Sequence, residues 1–330
     1  MEESVSERAY AKVNLGLDVL RRRPDGYHEL RMIMQTVSLF DEVEIRRTEG
    51  AAGGEAGGPE GAVSLVADAP GIPTDMHNLA CRAAALVRER CGLPGGVRIF
   101  LRKRIPSEAG LAGGSADAAA VLRGMNRLFS LGLSAEELSE MGLSLGADVP
   151  YCVRGGTALA EGIGERLTRL PDLPQCRIRI RKPPFGLSTP GIFRALDREE
   201  VRPEDHPDMD RVIAAVRAGN LADAAASIGN LLELPAARER PEILNLKRKF
   251  QEEGALGASM SGSGSAVLGI FPPGSGDEAL PAETKSGIFP LAREDGGLPP
   301  GGPDMPPCRE EILPDGTRLF DTVPVPAVMP

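Results

Sequence analysis

The apolar positions change period along the chain. Val13, Leu15, Leu17 and Val19 alternate with Asn14, Gly16 and Asp18, the two-residue repeat of a half-buried strand. Asp25-Gly26 offers a turn that folds this strand back on a second one, from about Leu30 to Phe40. Val97 to Leu101 predicts a further strand, and alternation returns over residues 176–181. Between these runs the spacing becomes helical. Asn78 is placed to cap a helix over Leu79–Arg90, and Ser134-x-x-Glu137 is a capping box that opens another. A run of small residues leads into a helix ending near Phe129, and further helical patterns cover about 189–197, 208–218, 221–228 and 241–253. A last strand pair brackets residues 259–265, while the Gly/Ala/Glu stretch from Gly50 to Gly61 reads as a surface loop. Strands come early and helices late. The expected class is α+β, with a strand-rich N-terminal lobe and a helix-rich C-terminal lobe.

Composition adds one asymmetry to this picture. Of 40 Gly and 29 Pro in 330 residues, 8 Gly and 13 Pro fall in residues 272–330. That final stretch is more than one-third Pro plus Gly and shows no sustained period, which predicts a poorly ordered tail. No apolar run approaches the roughly 18 residues that span a bilayer. The acidic start, Met1 to Glu7, lacks the apolar centre of a secretory signal. Five cysteines without a C-x-x-C argue against a disulfide framework or zinc cluster and suit reduced cytoplasm. A net charge of −9 and the absence of Trp argue against a nucleic-acid binder. A cytoplasmic enzyme acting on a small molecule is the expected class.

The chemistry is concentrated in the segment from Pro106 to Ala120. Gly110, Gly113 and Gly114 clear side chains from a loop that runs directly into a helix start, so backbone N–H groups can converge on an anion. Ser115 follows, placed to hold a phosphate or a metal ion. A Walker loop requires a Gly-Lys pair, and the chain contains none; the dinucleotide fingerprint also lacks its third glycine. Elsewhere, Lys12 interrupts an apolar strand, and Asp148 stands just before Val149-Pro150. An ammonium can steady developing negative charge and a carboxylate can take a proton, while an ion pair and a loop brace are the ordinary uses of such residues. Tyr27-His28 follows the first turn, offering a ring face and a donor–acceptor pair. His77 and His206 have no partners nearby in sequence and are expected at the surface.

Pro106-Ser-Glu-Ala-Gly-Leu-Ala-Gly-Gly-Ser-Ala-Asp-Ala-Ala119 closely resembles the phosphate-binding motif of the GHMP kinases, the superfamily of galactokinase, homoserine kinase and mevalonate kinase. Ala11-Lys12-Val13-Asn14-Leu15 is similar to the first motif of that superfamily and Gly257 to Gly264 to the third. Arg23-Pro-Asp-Gly-Tyr-His28 and Leu145-Gly-Ala-Asp-Val-Pro150 resemble, more narrowly, a branch acting on a cytidine diphosphate-linked methylerythritol in non-mevalonate isoprenoid synthesis. The resemblance implies ATP and Mg²⁺, an ATP-binding N-terminal domain over residues 1–162, and a C-terminal domain over 163–271. It implies catalytic roles for Lys12 and Asp148, and nucleotide contacts from Asn78, Lys103, Gly110, Leu111, Ala112, Gly113, Gly114 and Ser115, with Ser115 also at the metal. It places Asn14, Tyr27, His28, Thr189 and Phe193 at the acceptor, with Tyr27, His28 and Phe193 forming a cytosine pocket. It also brings the turn at Ser261, Gly262 and Ser263 against the phosphates or acceptor. Two segments depart from the pattern. Glu108 stands in the loop where small or apolar residues are usual, so it must point away from phosphate, and residues 272–330 replace an expected helix and strand. A homoserine-kinase-like enzyme and a non-catalytic nucleotide binder are the alternatives; the Tyr27-His28 pair speaks against the first, Lys12 with Asp148 against the second.

Overall fold

The two opening strands of the computed structural model are long. β1 (Ser4–Arg22) and β2 (His28–Thr48) form an antiparallel hairpin closed by the turn at Asp25-Gly26, with Arg22 opposite His28. The structure describes residues 3–48, 63–274 and 308–327; the loop expected over Gly50–Gly61 lies outside them. β3 (Val63–Ala67), α1 (Leu79–Cys91), β4 (Gly96–Arg102), α2 (Gly113–Leu128), α3 (Ala135–Leu143), α4 (Val149–Arg154), β5 (Thr157–Gly162) and β6 (Arg166–Arg169) complete the first lobe. β7 (Arg177–Lys182), α5 (Thr189–Leu196), α6 (Met209–Arg217), α7 (Leu221–Ala226), β8 (Gly229–Asn230), α8 (Glu233–Glu239), α9 (Glu242–Glu252), β9 (Gly257–Met260), β10 (Val267–Phe271), β11 (Arg309–Ile312) and β12 (Arg318–Thr322) follow. The α+β class and the two sheets agree with the sequence pattern. β6 still pairs with β5, so the first sheet runs past residue 162.

The first sheet has the order β3-β4-β2-β1-β8, with β5 paired to β2 and β6 to β5. α2 lies against β1, and its alanines explain how closely. Ala116, Ala118, Ala119 and Ala120 are buried, and a Cβ added at Gly124 would stand 2.6 Å from the Ile45 side chain. Small residues thus let the helix descend onto the sheet, fixing its N-terminus beside the strands that carry Lys12. Asn78 and Ser134 cap α1 and α3 as their spacing predicts, the latter through both halves of a capping box.

The tail departs from expectation. Residues 308–327 are not without structure: β11 and β12 form a hairpin around Pro314-Asp315-Gly316, and β12 pairs antiparallel with β7, extending the second sheet to the order β11-β12-β7-β10-β9. Phe320 and Thr322 alternate inward and are buried. Two strands of four and five residues vanish when Pro and Gly are averaged over the whole tail, which is why composition misses them. Residues 275–307 lie outside the described residues. Beyond β12 the chain crosses to the first lobe. β2 is paired with β5 over Leu30–Gln35 and with β4 over Glu42–Thr48, and the backbone between these stretches is open on that side. Residues 323–325 fill it: Ser38 N donates to Val323 O (2.9 Å), Val325 N to Thr36 O (2.8 Å), and the Gln35 amide to Val325 O (3.2 Å).

Candidate active site

Three sequence-distant turns meet at one point. Lys12 N in β1 donates to Leu111 O (3.2 Å), Ser261 Oγ donates to Gly110 O (2.9 Å), and Asn14 N donates to Ser261 Oγ (3.2 Å). The approach is so close that a Cβ on Gly110, whose φ is +72°, would stand 1.9 Å from Ser261 O. Only glycine satisfies both the conformation and the contact. The turn at 261–264 is held in turn by Asn230, whose amide donates to Met260 O and Gly262 O (both 2.8 Å), and by Glu233, which accepts from Ser259 Oγ and Met260 N. Neither residue carried a sequence signal, because each acts on partners about thirty positions away.

Lys12 lies in this junction with 4% of its surface exposed. Its Nζ donates to Asn14 Oδ1 at 2.6 Å, and among the described residues no carboxylate stands within ion-pair distance. Lys12 thus sits neither at an exposed strand edge nor, among the described residues, in an ion pair. Asn14, buried beside it, keeps Nδ2 without a partner. A buried ammonium and an orphan amide donor side by side require an anionic or polar ligand. Asp148 is half-buried at the start of α4 and makes no capping hydrogen bond there. Burial pushes the Cys152 thiol up, Asp148 adds to that, and Lys12 opposes it, so both charges bear on the same buried residue of α4.

The glycine-rich loop enters α2 through Ala112 in the left-handed conformation (φ +57°). Ser115 Oγ has no hydrogen bond among the described residues and lies about 4.0 Å from where a Cβ on Gly146 would stand, which links the helix start to the segment before Asp148. Glu108 is exposed and turned away, packed over Gly186, so the feared carboxylate does not face the loop.

Lys103 and Asn78 have other occupations. Lys103 Nζ is gripped by Asp41 and, at 2.7 Å, by Asp117, both acids buried; Asp41 also accepts from the N–H groups of Arg104 (2.5 Å) and Ile105 (2.8 Å). Burial, reinforced by Asp41, raises the Asp117 carboxyl well above its usual range, while the two carboxylates outweigh burial and hold Lys103 above its own. This cluster ties β2, the segment just after β4 and the second turn of α2 together. Lys103→Met is expected to lower stability by about 3–5 kcal/mol, since it strands two buried acids. An unchanged urea midpoint would remove the cluster from any account of the loop. The Asn78 side chain is consumed by Ala80 N (2.9 Å) and Pro73 O (2.8 Å).

Among the residues expected at the acceptor, His28 stacks on Phe193 (centroids 4.8 Å apart, 27° between planes), and its Nε2 meets Asp197 Oδ1 at 2.8 Å. Tyr27 is 62% exposed at the rim. Thr189 Oγ1 shares a 2.7 Å hydrogen bond with Ser263 Oγ, joining α5 to the third turn. His206, expected at the surface, is half-exposed and pairs through Nδ1 with Asp18 Oδ1 at 2.7 Å; His77 stays exposed beside Asp75.

Sequence comparison supports the geometry. The GHMP kinases N terminal domain matches residues 78–156 and the GHMP kinases C terminal domain residues 212–282. A 4-diphosphocytidyl-2-C-methyl-D-erythritol kinase of Lachnospira eligens is 46% identical over 82% of this chain and 90% of its own, and one of Caldicellulosiruptor saccharolyticus is 47% identical over 80% and 87%. Among solved structures, a 4-(cytidine 5'-diphospho)-2C-methyl-D-erythritol kinase is 38% identical with a TM-score of 0.65, covering 81% of this chain and 90% of that one. Homoserine kinase from Cytophaga hutchinsonii, 20% identical with a TM-score of 0.67 over 82% and 86%, shares the fold. With three turns knit around one buried lysine and nearly half its residues shared over four-fifths of its length, this chain belongs to the 4-diphosphocytidyl-2-C-methyl-D-erythritol kinase family of the GHMP kinases.

Proposed function

We propose that the protein transfers the γ-phosphoryl group of ATP to the 2-hydroxyl of 4-diphosphocytidyl-2-C-methyl-D-erythritol, a step in non-mevalonate isoprenoid precursor synthesis. The observation that carries this reading is the buried Lys12 ammonium, which has no carboxylate beside it where the three turns meet. An isolated buried charge is unfavourable unless a ligand of opposite sign completes it, and a transferring phosphoryl group does so.

In this reading the loop from Gly110 to Ser115 and the start of α2 receive the triphosphate, with backbone N–H groups and the helix end supplying about half a positive charge. Asp148 takes the proton of the acceptor hydroxyl as its oxygen bonds to the γ-phosphorus and the bond to the bridging oxygen of ADP breaks. Lys12 steadies charge on the equatorial oxygens, and Asn14 holds the acceptor through its free Nδ2. Thr189 and the turn at Ser263 border the acceptor, while His28 and Phe193, with Tyr27 at the rim, take the cytosine. Among the described residues no cluster of three or more His, Cys, Asp or Glu is set to hold a metal ion, and Ser115 Oγ is free. That fits Mg²⁺ held by phosphate oxygens, water and one hydroxyl; when bound, it neutralises phosphate charge. Lys103 and Asn78 act here as braces for the loop and for α1. None of the described helices is long and apolar enough to cross a membrane.

The test is ADP release from ATP with the cytidylyl substrate, homoserine or mevalonate as acceptor. Turnover is expected with the first alone. Preference for homoserine would overturn the assignment, and ATP binding without turnover on any acceptor would favour the non-catalytic reading.

A further inference from the structure

The His28–Asp197 pair fixes more than the position of a ring. Asp197 ends α5, one turn beyond Phe193, and its N–H caps that helix by donating to Phe193 O (3.0 Å). Its side chain is thereby held beside the ring that stacks on His28. Oδ1 meets His28 Nε2 at 2.8 Å, and Oδ2 lies 3.7 Å from Arg22. A carboxylate is an acceptor only, so Nε2 must carry the hydrogen. In a neutral imidazole that leaves Nδ1 as a lone pair. Nδ1 has no hydrogen bond among the described residues and is the one polar atom the ring has left to offer.

We infer that Asp197 is the specificity-determining residue that makes this site choose cytosine over uracil. The inference rests on the acceptor reading given above. A lone pair at Nδ1 accepts from the exocyclic amino group of cytosine. Uracil carries a carbonyl oxygen there, which requires a hydrogen at Nδ1 instead. A neutral ring supplies it only by moving its hydrogen off Nε2, which breaks the bond to Asp197 and sets a bare nitrogen against a carboxylate. The discrimination thus resides in the partner of the histidine and not in the histidine alone. Asn in place of Asp keeps the shape but accepts through its oxygen or donates through its amide nitrogen, and so accommodates either tautomer.

The experiment compares kcat/KM for the cytidine substrate and for its uracil counterpart, side by side in one mildly alkaline buffer. Wild type is expected to prefer cytosine strongly. In Asp197→Asn the ratio is expected to fall roughly 10- to 100-fold, the equivalent of one hydrogen bond to a charged group. Part of that fall is an absolute gain for the uracil substrate, carried by KM, which damage to the fold cannot produce. Nitrogen-15 spectra of the wild-type protein are expected to show His28 protonated at Nε2 and bare at Nδ1. A parallel loss on both substrates, an unchanged ratio, or a hydrogen at Nδ1 would each overturn the role of Asp197. No turnover of the cytidine substrate by wild type would instead overturn the acceptor reading on which it rests.

Discussion

Replacing Asp148 by Asn lowers kcat by about a hundred- to ten-thousand-fold, the range for removing a positioned general base. The amide matches the carboxylate in shape but cannot take the acceptor proton. Asp148 makes no capping bond to α4, so the substitution breaks no hydrogen bond among the described residues, and the unfolding midpoint stays close to wild type. ATP affinity, measured by equilibrium binding, is likewise expected to be retained, because the loop from Gly110 to Ser115 proposed to receive the triphosphate is left intact. A kcat near wild type in the folded variant would take the base assignment away from Asp148.

Ending the chain at Pro307 unfolds the second lobe's sheet at its edge. The truncation uncovers the β7 backbone where β12 pairs with it and removes Phe320 from a fully buried position. Loss of one buried phenylalanine alone costs about 3–5 kcal/mol. The crossing segment adds the bonds at Thr36 and Ser38, each worth about 0.5–1.5 kcal/mol. Thr36 stands opposite Lys12 in the hairpin and also bonds Tyr151 of α4, so activity is expected to fall with stability. Phe320→Ala, a milder change, is expected to lower the urea midpoint in the same direction. Equal midpoints for the full and shortened chains would show that the tail adds nothing.

The sequence makes some of this architecture visible and hides the rest for a physical reason. The cap at Asn78 and the box at Ser134 each answer a local demand of the backbone, and local demands leave local marks; the glycine at 110 shows as part of a run, although the contact that requires it is with Ser261, far along the chain. Lys12, Asp148, His28 and Phe193 stand out in the sequence because their residue types suit the chemistry and their neighbours match known motifs, and their roles belong to the proposal. Asp41, Lys103 and Asp117 do not stand out as a group, since their meaning lies in a triangle that the fold closes over more than sixty positions. Lys103, which the resemblance places at the nucleotide, is held in that triangle, and the half-exposed His206 has its partner, Asp18, far away in sequence. Asp197 had no signature at all until α5 brought it to His28. The tail failed differently: two short strands are stabilised by the open edge they dock on, and no period within them announces it.

The crossing at residues 323–325 also sets an order of events. β1 and β2 are made long before residues 323–325, so the open stretch of β2 waits for partners that come late in the chain. Domains synthesised early commonly fold as units while the rest of the chain is still being made. Here the strand opposite Lys12 lacks these partners until residues 323–325 have been made. A nascent chain stalled near residue 300 would display this gap to chaperones and proteases.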